Sequence, residues 1–235
     1  MLTRSKDFRV GQRVIANCRG YGANDPSYGA FQKYTVVPVH AVAELPYSIP
    51  TSQGVVLPLG ISTASAGLFQ KGFLALPFPS ADGKPDKLDR TVIVWGGSSS
   101  VGSCAIQLAV AAGATVLTTA SPRNFEYCRS LGAKACFDYH DDDVEKQIIK
   151  AVDGETVAGA YHASGGKGAV QSCARIVDET KGKAIVVSVA GALEEGIPDS
   201  VRVKGSTFLR PLAGRSPTFM WCIVLGSHAA DWSAR

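Results

Sequence analysis

TVIVWGGSSSVGSCAIQLAVAAGATV, residues Thr91–Val116, is the stretch whose reading decides the fold. Thr91–Trp95 is apolar without alternation, the pattern of a central parallel strand covered on both faces. From Val101, apolar or small residues recur at Ala105, Leu108 and Ala112. That spacing predicts one buried helix face, with Gly113 placed to end the helix. Between strand and helix lies a turn of small residues. Gly97 and Gly102 occupy the first and last places of a G-x-G-x-x-G frame, and Ser99 stands at the middle place. In such a frame the first glycine makes the tight turn and the last lets helix and strand pack closely. The amides at the helix start then receive a pyrophosphate. Strand, turn and helix together point to dinucleotide binding, whereas a degenerate glycine frame alone is also the pattern of an ordinary tight turn. Ser99 leaves two alternatives open: its side chain crowds the phosphate, or its hydroxyl donates to it.

Beyond the helix, Thr115–Thr119 reads as the second strand and runs into Ala120-Ser121-Pro122-Arg123-Asn124. A chain that binds NAD usually places an acid here, against the ribose 2′-hydroxyl. The acid is missing. Ser121 and Asn124 carry hydrogen-bond donors and Arg123 suits a 2′-phosphate, so the expected cofactor is NADPH. The same residues also read as a cap at Ser121 with Pro122 opening a helix and Arg123 in water, and the two readings are compatible.

The alternation continues downstream. The pattern predicts a helix over Pro122–Leu131, a strand over Ala135–Asp138, and a helix carrying Val144, Ile148 and Val152 behind Asp141-Asp142-Asp143. A strand over Val157–His162, a helix over Lys167–Asp178, a strand over Lys183–Val189 and a last strand over Arg202–Phe208 follow. The fold class is therefore α/β, a doubly wound parallel sheet of about six strands. Ser164-Gly165-Gly166 and Ala190-Gly191-Ala192 fall at strand C-terminal ends, where ligands bind in such sheets. The first 60 residues differ: Val10–Ala16, Gln32–Val37 and Ala41–Leu45 read as short strands separated by turn residues. Ile61–Gln70 then predicts a helix, and Leu76–Leu88 a surface loop.

Composition narrows the classes. With 235 residues, 46% of them hydrophobic, the chain has enough apolar content for a substantial core. The formal charge of +4 is mild and scattered, which argues against nucleic acid as a partner. No apolar run approaches the roughly 18 residues needed to span a bilayer, and MLTRSKDFRV has no signal-peptide core, so a cytoplasmic location is expected. Cys18, Cys104, Cys128, Cys136, Cys173 and Cys222 show no C-x-x-C pair and no close cluster, and the four histidines are dispersed. Zinc spacing is absent, and reduced, mostly buried thiols are expected.

On these residues the chain resembles the medium-chain dehydrogenase/reductase superfamily. Within it, the likeness is to the zinc-independent quinone oxidoreductase and enoyl reductase branch, including fungal trans-acting enoyl reductases of polyketide pathways. The similarity runs from Phe8 to Phe208. It rests on FRVGQRVIA, GAFQKYTVV, VVLPLGISTASAGLF, the segment from Val92 to Tyr139, and GKAIVVSVAG. The resemblance implies an NADP-binding Rossmann domain over 61–215, a partial GroES-like catalytic domain over 1–60, and an atypical tail over 216–235. It also implies that Ser98, Ser99, Ser100 and Val101 wrap the pyrophosphate. Ser121, Arg123 and Asn124 would hold the 2′-phosphate, Tyr139 would pack near the adenosine ribose, and Thr63 would face the nicotinamide or the substrate. Family members carry further chain before Phe8 and return to the catalytic domain after the sixth strand, so both ends read as cut. Gln12 stands where the family usually has Asp. The implied activity is hydride transfer from NADPH to an activated alkene, a quinone or a related carbonyl, with a homodimer through the edge strand Val201–Phe208. The alternative is a catalytically inactive NADPH-binding protein with no closed substrate pocket.

Overall fold

The computed structural model describes residues 8–18, 20, 24–79, 85–192 and 195–206. Two short strands, β1 (Val14–Ala16) and β2 (Val42–Glu44), pair antiparallel with Ile15 opposite Ala43. Helices α1 (Thr51–Gly54) and α2 (Leu57–Phe69) lead from this pair into the main sheet. That sheet alternates with helices: β3 (Arg90–Trp95), α3 (Ser100–Ala111), β4 (Thr115–Ala120), α4 (Phe125–Ser130), β5 (Ala135–Asp138), α5 (Val144–Val152), β6 (Thr156–His162), α6 (Ala169–Glu179), β7 (Ile185–Ser188) and β8 (Arg202–Gly205). All six strands run parallel in the order β5-β4-β3-β6-β7-β8. The chain winds outward from β3 to β5, then crosses back to lay β6 beside β3. The direction reverses between these two central strands, and in open sheets of this kind a ligand crevice opens at that point.

The continuous apolar run of β3 has a direct cause. Val92 and Val94 pack into a core formed with α2, α3 and α4, while Ile93 and Trp95 pack into a second core under α5 and α6. Burying each such aliphatic side chain contributes about 1.5–3 kcal/mol, so both faces of the strand must be apolar. Gly113 ends α3 as expected, at φ +87°.

Helix α2 starts earlier than the predicted Ile61, at Leu57 with Pro58 in its first turn. It is buried nearly all round because it is wedged between the β1–β2 region, α3 and the sheet, so no polar face marks its ends. The Tyr161 hydroxyl of β6 and the Ser206 hydroxyl after β8 both donate to the Thr63 carbonyl, at 2.8 and 3.1 Å.

Two expectations need correction. Gln32–Val37 is not a strand: the Gln32 side-chain amide donates to the carbonyls of Pro26, Ser27 and Gly29, and Phe31, Tyr34 and Val36 lie exposed around this loop. The span Pro122–Leu131 begins as a 3-10 turn, Pro122–Asn124, before α4. Cys136 of β5 donates its thiol to the Phe125 carbonyl at the start of α4, at 3.6 Å. All five described cysteines are free, and burial pushes the Cys104 thiol up to about 12. Thr207 and Phe208 of the predicted last strand, Cys222 and the tail 216–235 lie outside the described residues, as do 80–84 of the loop Leu76–Leu88. Among the described residues no helix is long and apolar enough to cross a membrane.

Candidate functional site

A cleft of about 590 Å³ lies at the C-terminal ends of β3, β4, β5 and β6. Its floor is the β3–α3 turn, and the backbone there explains the glycine frame. Gly96 carries the positive φ of +86° that turns the chain, so the tight turn belongs to Gly96 and not to Gly97. Gly97 is needed for a different reason: a Cβ there would lie 2.2 Å from Thr118 Oγ1. At Gly102 a Cβ would lie 2.2 Å from the Gly96 carbonyl oxygen, so this glycine brings α3 directly against the turn.

Ser99 caps α3. Its Oγ accepts from the Gly102 amide at 3.0 Å and donates to the Ala163 carbonyl at 2.8 Å. The hydroxyl hydrogen is therefore used on Ala163, and of the two alternatives for Ser99, donation to a phosphate would require breaking this bond. Ser98 lines the cleft with Ser99, whereas Ser100 and Val101 form the first turn of α3 and contribute backbone rather than side chains. Their amides have no partner among the described residues, which leaves two donors at the positive end of the helix dipole.

The wall beyond β4 and β5 holds four of the predicted residues. Ser121, Arg123, Asn124 and Tyr139 all line the cleft. Ser121 sits at the cap position before the Pro122 turn, yet its side chain makes no capping bond. Its Oγ lies 3.1 Å from the Tyr139 hydroxyl instead. The Arg123 guanidinium is exposed and forms no ion pair among the described residues. Thr63 is not among the lining residues; it is buried in α2, where its carbonyl serves Tyr161 and Ser206.

Opposite, Ser164-Gly165-Gly166-Lys167-Gly168 forms a third wall at the start of α6, as the small residues after the fourth strand of the sheet suggested. Ala190-Gly191-Ala192 does not reach the cleft. Two features escaped the sequence reading. Arg175 of α6 grips Glu145 of α5 through two bonds of 2.7 and 2.6 Å, and the Arg175 guanidinium holds the Glu145 carboxyl below the usual carboxylate range. His140 stands at the rim, with Nδ1 2.7 Å from Asp138 Oδ1. No periodicity marks either pair; only the folded-state contact of α5 with α6, and the two-residue step from Asp138 to His140, produce them.

Among the described residues no group of three or more His, Cys, Asp or Glu side chains converges. The arrangement does suit a long, phosphorylated, aromatic ligand: paired amides at a helix start, a free guanidinium beside two hydroxyls, and a glycine-rich wall.

Comparison with known proteins agrees with this geometry. Residues 100–225 match the family model described as zinc-binding dehydrogenase. The dehydrogenase pigH of Monascus ruber is 46% identical over 181 residues, covering 76% of this chain and 48% of the relative. The trans-enoyl reductase himH of Aspergillus japonicus is 45% identical over 145 residues, covering 62% of this chain and 41% of the relative. The chain thus spans about half the length of these relatives or less. An alcohol dehydrogenase superfamily protein from Novosphingobium aromaticivorans superposes with a TM-score of 0.67 at 25% identity, over 94% of this chain and 62% of the other.

Proposed function

Because the chain belongs to the zinc-binding dehydrogenase family of the medium-chain dehydrogenase/reductase superfamily, we propose that it binds NADPH and takes part in hydride transfer to an activated alkene, a quinone or a related carbonyl. The observation that carries the cofactor reading is at Ser121. A residue placed to cap a helix turns its hydroxyl to Tyr139 instead, next to Arg123, which forms no ion pair among the described residues, at a strand end with no acid. Two hydroxyls and a guanidinium there suit a ribose 2′-phosphate, which carries close to two negative charges.

Each wall then has a task. The amides of Ser100 and Val101 would take the pyrophosphate, Arg123 with Ser121 and Tyr139 would take the 2′-phosphate, and the Ser164–Gly168 loop would cover the adenosine from the far side. Bound NADPH supplies the hydride. The chain supplies orientation and charge complementarity. The free, mostly buried thiols support a cytosolic setting. The edge strand β8 is where a second copy would pair, extending the sheet.

A second reading, NADPH binding without catalysis, draws support from one observation. Apart from Tyr139, the exposed large apolar side chains among the described residues, including Val10, Phe31, Val55, Val56 and Leu59, all fall between residues 10 and 59. That surface has no cover among the described residues.

Titration of the chain with NADPH and NADH in parallel, followed by nicotinamide fluorescence, tests the cofactor reading. NADPH is expected to bind at least about 100-fold more tightly, or about 2.8 kcal/mol. Equal affinities would overturn it. Turnover of enoyl thioesters or quinones by the NADPH-loaded chain separates the two readings.

A further inference from the structure

His140 is assigned no role by the family likeness or by the sequence pattern. Its ring lies 4.1 Å from the Tyr139 ring, centroid to centroid, tilted by 34°. The Tyr139 hydroxyl in turn meets Ser121, so the imidazole stands one ring away from the proposed 2′-phosphate position. Asp138 holds the imidazole at Nδ1. Its Oδ1 accepts the His140 backbone N–H at 3.0 Å and lies 2.7 Å from Nδ1. These bonds, the backbone one first, hold the Asp138 carboxyl below its usual range, so it is an acceptor at neutral pH. A carboxylate facing Nδ1 makes that nitrogen the N–H of the neutral ring. Nε2 then carries a lone pair, which repels a phosphate. It becomes a donor only when the ring takes a second proton.

We propose that His140 is a specificity-determining residue whose Nε2 reads the 2′-phosphate, and that binding of a 2′-phosphorylated dinucleotide takes up a proton on this ring. The inference rests on the NADPH reading above. The charged groups that line the cleft together with the ring are Asp141 and Asp142 on the same loop, Arg123 from the β4–α4 connection, Lys167 from the β6–α6 loop, and the Glu145–Arg175 pair, and Asp138 at the end of β5 bonds the ring directly. An arriving phosphate brings close to two negative charges to this set.

The sign of the pH dependence separates this from the phosphate's own chemistry. A phosphate monoester loses its second proton near pH 6, so a fixed cationic site alone binds it more tightly as pH rises. Proton uptake at His140 gives the opposite slope. The test measures the Kd of NADPH and NADH for the full chain at pH 6.5, 7.5 and 8.5, in wild type and in His140→Phe, which keeps an aromatic ring against Tyr139 and cannot titrate. Calorimetry in two buffers of different ionisation enthalpy counts protons.

In wild type the NADPH affinity is expected to fall about five- to tenfold from pH 6.5 to 8.5, as for loss of one charge-assisted bond, while NADH stays flat. His140→Phe should weaken NADPH about fivefold at pH 6.5, remove the fall with pH, and abolish the buffer-dependent heat. Identical pH profiles in the two proteins, with NADPH still preferred over NADH, would overturn the role of His140 and leave the cofactor reading standing. Equal binding of NADPH and NADH by wild type would overturn both.

Discussion

Replacing Ser99 by alanine removes two bonds at once, and the structure sets the size of the loss. The first is the N-cap of α3, the bond from the Gly102 amide to Ser99 Oγ, worth about 0.5–2 kcal/mol. The second is the bond from Ser99 Oγ to the Ala163 carbonyl, worth about 0.5–1.5 kcal/mol net. Ala163 is buried, so its carbonyl cannot turn to bulk water after the change. The two terms share one hydroxyl and are not strictly additive, which places the expected destabilisation at about 2 kcal/mol. In urea unfolding, the midpoint should fall while the slope stays constant. For a domain of this size the melting temperature should drop by about 4–8 °C. Ser99→Thr keeps the hydroxyl and should recover most of the loss. If Ser99→Ala left stability within about 0.5 kcal/mol of wild type, but weakened NADPH binding more than tenfold, the hydroxyl would be a phosphate ligand. The assignment of its hydrogen to Ala163 would then be wrong.

Three further outcomes follow from other contacts. Arg123→Ala should cut NADPH affinity by about 2–3 kcal/mol with NADH unchanged, and parallel fluorescence titrations would expose a loss shared by both cofactors, which contradicts a 2′-phosphate role. Gly67→Ala would put a Cβ 2.3 Å from the Tyr161 ring and 2.7 Å from Val187; pushing α2 off the sheet should cost about 1–3 kcal/mol, read by chemical denaturation. Glu145 has a depressed carboxyl in the folded state, so its pairing with Arg175 stabilises above the unfolded carboxylate range and the benefit disappears as pH falls through the lower folded value. Because both side chains are partly in water, the loss in Glu145→Gln at pH 7 should be below about 1 kcal/mol and should vanish once pH falls below the lowered folded value.

The central sheet was legible because β3 and its successors must satisfy two cores at once, which forces the unbroken apolar runs read at Thr91–Trp95 and Val157–His162. The start of α2 was hidden for the same physical reason: a helix buried nearly all round has no periodicity to bound it. Gln32–Val37 carries β-favouring residues without a partner strand, and a side-chain amide, not a ladder, satisfies its neighbouring carbonyls. At the site, Ser121, Arg123, Asn124 and Tyr139 were readable from their places after strands. Two adjacent glycines do not reveal which takes the positive φ, so Gly96 was missed in favour of Gly97. The Glu145–Arg175 pair depends on how α5 and α6 meet in space, which no spacing rule encodes, whereas Asp138–His140 is a local aspartate turn whose two-residue step was overlooked.

The double acceptor at Thr63 has a consequence for the order in which the chain leaves the ribosome. Its two donors lie 98 and 143 residues downstream. At synthesis rates of about 5–20 residues per second, the Tyr161 hydroxyl emerges about 5–20 seconds after Thr63, and Ser206 about 7–29 seconds after it. Throughout that interval α2, with almost no polar surface, has neither β6 nor β8 to rest against. The apolar faces of α2 therefore gain their full cover only when the last strand of the sheet has been made.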